Sequence, residues 1–195
     1  MRVNLPNKLT LGRLVITAIF FVFLSMRDRV LLDVSLGLFV IATITDLVDG
    51  WLARKYKMVT DFGRVADPFA DKILICGALI FLLAKNGMAA PDGGILDSRV
   101  RDWMVVAILA REFLVSGMRS LAESKGIPFG ANYWGKIKTL AQNFAVGFSI
   151  LYVANSEFGF VKPVVDVVLY LATAMTAVSG FIYLFRAKRI LNIDT

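Results

Sequence analysis

Six stretches of mostly apolar residues divide the chain, at about 11–26, 31–53, 65–86, 102–123, 138–156 and 161–185. A helix needs about 20 such residues to cross the hydrocarbon layer of a bilayer. The pattern therefore predicts six membrane-spanning helices, the first and fifth running on into their flanks. The connectors are short, so the six are expected to form one bundle, a single domain over residues 1–195. Ahead of the first run, residues 5–11 are too few to span. Asn4, Pro6 and Asn7 suit a turn followed by a helix start, so this segment is expected to lie along the inner membrane surface as a short interfacial helix. Residues 87–98, with Pro91, Asp92, Gly93 and Gly94, read as an outer loop.

Composition sharpens the membrane reading. Of 195 residues, 57% are hydrophobic and only 19% charged, with a mean hydropathy of +0.69; a soluble domain carries about 45–50% and about 25%. The net charge of +7 would suit nucleic acid in a soluble protein. Here the cations fall between apolar runs, as loop anchors do, and no nucleic-acid partner is expected. With the N-terminus inside, thirteen Lys and Arg (Arg2, Lys8, Arg13, Arg54, Lys55, Lys57, Arg64, Lys125, Lys136, Lys138, Arg186, Lys188 and Arg189) are cytoplasmic. Six (Arg27, Arg29, Lys85, Arg99, Arg101 and Lys162) are outside. That bias predicts both termini in the cytoplasm. The first 26 residues look like a signal peptide, but Arg27, Asp28 and Arg29 stand where a small-residue cleavage site would be, so the segment reads as a retained span. Without a transit peptide, a bacterial inner membrane is expected over a mitochondrial one. The lone Cys76 sits in an apolar run and reads as packing. There is no histidine, which excludes imidazole catalysis and histidine-nucleophile phosphatidyl transfer and leaves acid–base work to carboxylates, Lys or Tyr.

The candidate chemistry lies in residues 46–71. Asp46 and Asp49 are three apart and share a helix face; Asp67 and Asp71 are four apart and share another. Spans two and three should bring the two pairs together at the cytoplasmic side. An Asp at a membrane centre costs about 2.5–3.5 kcal/mol, so four cost on the order of 10 kcal/mol before relief. Solvated carboxylates at helix ends would be the bland account. A converging set is better explained by a divalent cation, and all-oxygen ligation favours hard ions such as Mg²⁺, Mn²⁺ or Ca²⁺. Gly50 and Ala53 leave a groove where a ligand could reach the backbone, or where another helix could pack closely; Arg54, one turn from Gly50, can pair with a phosphate, and Gly63 leaves room for a base or ribose.

Asp46, Asp49, Gly50, Ala53, Arg54, Gly63, Asp67 and Asp71 match at every spacing the pattern of the CDP-alcohol phosphatidyltransferase family, which this sequence resembles. The resemblance implies six spans, a homodimer, and an active site at the cytoplasmic interface. It implies two divalent cations, Mg²⁺ or Mn²⁺, held by Asp46, Asp49, Asp67 and Asp71, with Asp71 also the general base. Asp49, Gly50, Ala53, Arg54 and Gly63 would hold the CDP moiety of CDP-diacylglycerol.

Downstream residues bear on the acceptor. Glu112, Ser116 and Arg119 share one face of span four, next to Arg111. They could be an intramembrane ion pair pinning span four, or a polar wall of the site. Lys136, Lys138, Thr139 and Gln142 open span five, and the lysines could instead be snorkelling anchors. Arg119, Lys136 and Lys138 together make a cationic set that a phosphorylated alcohol needs and a neutral one does not. With residues 111–119, 135–142 and 4–13, the chain resembles the branch of the family that uses glycerol 3-phosphate. Arg111, Glu112, Ser116, Thr139 and Gln142 would support that pocket. Val48, Arg64 and Ala66 depart from the usual pattern without touching the eight motif positions. Phosphatidylglycerol, serine or inositol phosphate would be rival acceptors. A divalent-cation transporter is a distant rival, since the outer halves of spans two and three are apolar and transport needs a polar path through both leaflets.

Overall fold

The structure, a computed structural model, describes residues 5–55, 61–126, 133–155, 157 and 159–191. Six helices follow one another: α1 Leu5–Ser25, α2 Arg29–Lys55, α3 Asp61–Lys85, α4 Asp102–Ser124, α5 Tyr133–Ala154 and α6 Val161–Leu191. Each matches one expected span. Residues 5–11 do not form a separate interfacial helix; they are the first turns of α1, which runs on unbroken. Nothing in that stretch breaks a helix once Pro6 occupies its first turn, where proline's missing N–H is tolerated.

The helix ends follow local chemistry. Asp28 caps α2, its Oδ1 accepting the Leu31 N–H at 3.2 Å. Gly126 (φ +68°) follows α4, whose last carbonyls, from Leu121 and Ala122, accept the Lys125 N–H.

By length and composition, Arg29–Val48, Ile137–Ala154 and Val161–Phe185 can each cross a membrane, and Thr10–Ser25 is a shorter apolar stretch. Helices α3 and α4 are comparably long, at 25 and 23 residues, but carry Asp71, Lys72, Arg111, Glu112 and Arg119 within them. The outside of the bundle is apolar, with Val15, Ile19, Val40, Ile41, Val106, Phe113, Val167 and Leu171 all exposed. Such a surface suits lipid and not water.

Inside, the bundle is divided along its axis. One half is a dry core of Phe20, Leu24, Leu32, Phe39, Leu79, Leu82, Met104, Ile108, Ile150, Val165 and Leu169. The end beyond it is clasped by polar contacts. Lys85 Nζ donates to the Met26 carbonyl, Arg29 donates to Asn155 Oδ1 at 2.7 Å, and Asn155 donates to Asp33 at 2.9 Å. The α3–α4 loop closes with a bridge between Ala89 and Ile95, and Asn86 holds Ser98 and Val100. Arg99, in the left-handed region (φ 65°), donates to both oxygens of Asp166 at 2.8 and 2.9 Å and to Asp97 at 3.1 Å. Burial alone would raise the Asp97 carboxyl. Hydrogen bonds from the Arg99 N–H and guanidinium outweigh it and hold that carboxyl below the usual range.

The opposite half is polar: Arg13, Glu112, Lys138, Gln142, Thr173, Thr176 and Ser179 are all buried there. Helix α1 packs on both α2 and α3, α2 also on α5, and α6 on α4 and α5. Among the described residues α2 and α3 make few contacts with each other, and Asp46 of α2 and Asp71 of α3 both line a cavity.

Candidate active site

A cavity of about 940 Å³ opens in the polar half. Asp46 reaches it from α2, Asp71 and Lys72 from α3, and Arg111, Glu112, Ser116 and Arg119 from α4. Helix α5 adds Gly135, Lys138 and Thr139, and α6 adds Tyr183. Toward the bundle centre the lining turns apolar, with Leu36, Phe39 and Val40 of α2 facing Phe144, Phe148 and Leu151 of α5. The cavity is thus amphipathic: charge at one end, and at the other a greasy groove between two helices whose outer faces are also apolar.

Of the residues expected at the site, Asp46, Asp71, Arg111, Glu112, Ser116, Arg119, Lys138 and Thr139 come together on this one cavity. The side chains of Asp49, Gly50, Ala53, Arg54, Gly63, Asp67 and Lys136 lie outside the described residues, although their backbones fall within α2, α3 and α5. Among the described residues no three acidic, Cys or His side chains converge. The two described acids of the motif do converge, as hard oxygen donors from separate helices on one polar space, and that donor chemistry fits a divalent cation.

Glu112 is the hub of the cationic side. Lys138 Nζ donates to its Oε1, and Arg111 Nη1 donates to the same oxygen at 3.2 Å. Both lysine and carboxylate are almost fully enclosed, their side chains 5% and 11% exposed. Arg111 also donates to Ser179 Oγ at 2.5 Å and lies over the Tyr183 ring, 5.4 Å from its centroid. The turn of α6 that admits it is Gly180, where an added Cβ would come to 3.1 Å from Arg111 Cγ. Gln142 stands behind the wall and donates to Thr176 Oγ1 at 3.0 Å. Ser116 and Thr139 use their hydroxyls on helix carbonyls one turn back, those of Glu112 and Gly135. Arg119 differs. It lines the cavity, and its buried Nε has no hydrogen-bond partner among the described residues.

The structure therefore divides the expected cationic set. Lys138 faces the cavity, yet it is held by Glu112, so the ion pair considered as an alternative to a polar wall is present within that wall. Two contributions were not read from the sequence. Ser179 and Tyr183 bring α6 into the site, and a stripe at Thr173, Thr176, Ser179 and Tyr183, spaced three, three and four, was the signal for it. Arg13 was counted as a loop anchor. It is instead fully buried and ion-paired with Asp46, and Thr10, Arg13 and Thr17 mark the inward face of α1.

An amphipathic cavity in a helical bundle with an apolar outside, with carboxylates beside a cationic wall, has the chemistry to receive a lipid with a charged headgroup. Residues 3–182 match the model of the CDP-alcohol phosphatidyltransferase family, and the chain belongs to that family. It is 39% identical over 193 residues to a CDP-diacylglycerol–glycerol-3-phosphate 3-phosphatidyltransferase of Bacillus subtilis, covering 92% of this chain and 93% of that protein. Proteins of the same name from Rickettsia bellii and Rickettsia felis are 37% and 34% identical, each over 95% of this chain and 96% of their own length.

Proposed function

We propose that this chain transfers the phosphatidyl group of CDP-diacylglycerol to glycerol 3-phosphate, forming phosphatidylglycerophosphate and CMP, a step of phospholipid synthesis. The observation that carries it is the single cavity that joins Asp46 and Asp71 to Arg119, Lys138 and an apolar groove. The relatives named for this reaction match nearly the whole chain.

The apolar groove between α2 and α5 takes an acyl chain, which sets the pyrophosphate at the carboxylates. Gly50, Ala53, Arg54 and Gly63, with Asp49, hold the CDP moiety. Asp46, Asp49, Asp67 and Asp71 hold the divalent cations, Mg²⁺ or Mn²⁺, which when bound supply charge neutralisation of the pyrophosphate. Glycerol 3-phosphate enters from the cytoplasm. Its phosphate pairs with Arg119, whose Nε has no hydrogen-bond partner among the described residues, helped by Lys136 and by the shared charge of Lys138. Asp71 takes the proton of the terminal hydroxyl. That oxygen bonds to the β-phosphorus as the bond to CMP breaks, and CMP leaves with the electron pair. The Glu112 hub keeps Arg111 and Lys138 fixed in the wall.

In this reading residues 1–195 act as one unit in a bacterial inner membrane, with both termini and the site on the cytoplasmic side, and two copies pair as a homodimer. The test is Asp71→Asn. CMP release should fall to background while CDP-diacylglycerol still binds; full turnover in that variant removes Asp71 from the chemistry.

A further inference from the structure

Arg13 is among the largest fully buried side chains of the described residues, with its guanidinium enclosed between helices. A cation at the start of a span ordinarily snorkels to the headgroups. This one turns inward. It ion-pairs through Nη1 with Asp46 of α2, and α1 packs against both α2 and α3. Asp46 is not consumed by the pair, since its side chain keeps 35% of its surface open and lines the cavity.

Burying a guanidinium is expensive unless a fixed partner answers it. Here the partner is an acid that lines the cavity, and the donor comes from α1, none of whose described residues lines it. Ligands are commonly oriented by a neighbour that holds the atom not facing the metal. A guanidinium suits this, because its permanent charge holds one carboxylate oxygen through Nη1. A lysine supplies the charge as a compact ammonium on a more flexible stem.

We infer, on the reading that Asp46 is a ligand of the divalent cation, that Arg13 is a positioning residue for it. The guanidinium grips one oxygen of Asp46 and leaves the rest of the carboxylate toward the cavity. Packed on both α2 and α3, α1 thereby holds Asp46 at the cavity that Asp71 also lines.

The test uses full-length protein in detergent, with Mn²⁺ binding followed by electron paramagnetic resonance without lipid substrate. Four proteins are compared: wild type, Arg13→Gln, Arg13→Lys and Asp46→Asn. Arg13→Gln should raise the Mn²⁺ Kd about 10–100-fold, the range typical for loss of a ligand-orienting partner. Arg13→Lys should fall between wild type and Gln, and it carries the test if Arg13→Gln does not fold. Asp46→Asn should abolish the high-affinity site. An unchanged Mn²⁺ Kd in Arg13→Gln with a lowered Tm means that Arg13 only clamps helices, and overturns the inference. Tighter Mn²⁺ binding means that Arg13 competes with the metal, and overturns it too. A wild type that binds no Mn²⁺, or an Asp46→Asn variant that binds it normally, instead removes the metal role of Asp46, and the inference falls with it.

Discussion

Glu112 receives hydrogen bonds from both Lys138 and Arg111 inside a nearly closed wall, so replacing it is the sharpest way to ask what that wall is for. Glu112→Gln keeps size and hydrogen-bonding capacity but removes the charge. Lys138, with 5% of its side chain exposed, then loses its carboxylate, and Arg111 keeps Ser179, Tyr183 and a neutral acceptor in place of the charge. Breaking a buried pair by removing one partner costs about 3–5 kcal/mol. For a chain of this size that corresponds to roughly 6–20 °C in Tm, at about 2–4 °C per kcal/mol. Lys138→Met should cost less, because Arg111 at 3.2 Å still answers Glu112. The double variant Glu112→Leu/Lys138→Met should recover part of the loss, since the buried lysine charge goes with its partner and Arg111 is left to Ser179 and Tyr183. Thermal unfolding in detergent gives the coupling, and the glycerol 3-phosphate KM is measured on the same samples. The reasoning is refuted if Glu112→Gln moves Tm by less than about 2 °C, well below the loss expected for a broken buried pair. A large rise in KM alongside that small shift would mean that Lys138 is free to serve the acceptor.

Arg119→Ala should raise the glycerol 3-phosphate KM at least tenfold with kcat little changed, the mark of lost ground-state binding; an unchanged KM would remove Arg119 from the acceptor pocket. Gly77 faces the Phe21 ring, where an added Cβ would stand 2.2 Å from Cζ, and that ring is stacked on Phe81 at 5.1 Å. Gly77→Ala should therefore destabilise, overpacking of about 1–3 kcal/mol outweighing a helix-propensity gain of about 1. Gly37→Ala, with nothing within 4 Å, should be neutral or stabilising, and equal Tm shifts in the two variants would contradict the packing. The depressed Asp97 carboxyl makes the outer clasp pH-dependent. Its contribution is fully present above the unfolded carboxylate pKa of about 3.9 and is lost as pH falls through the lower folded value. Arg99→Ala should flatten that acid limb of a Tm-against-pH curve, and a curve parallel to wild type would count against it.

The helices were legible in the sequence because a bilayer imposes length: an apolar run of about 20 residues has few other uses. The face of α4 was legible from spacing alone, and Glu112, Ser116 and Arg119 do share the cavity; of the four acids, Asp46 and Asp71 line it, and the side chains of Asp49 and Asp67 lie outside the described residues. What was not legible depends on neighbours. Arg13 and a loop anchor look alike in sequence; only the packing of α1 on both α2 and α3 turns the side chain inward. Lys138 looked available to substrate because nothing in its own segment names Glu112, 26 residues away, as its partner. Tyr183 sits in a helix that is apolar on nearly every side, where a polar stripe is diluted. Residues 5–11 were read apart from α1 because hydropathy falls there, although the helix continues through them.

The most direct measurement uses purified protein in detergent with CDP-diacylglycerol and Mg²⁺ or Mn²⁺. Glycerol 3-phosphate, phosphatidylglycerol, serine and inositol phosphate are supplied separately, CMP release is followed, and the lipid product is identified by mass. The account predicts metal-dependent CMP release with glycerol 3-phosphate alone, and phosphatidylglycerophosphate as the product. Turnover with another acceptor in its place would contradict the role given to Arg119. No metal-dependent CMP release with any acceptor, from folded protein, would contradict the proposed activity itself.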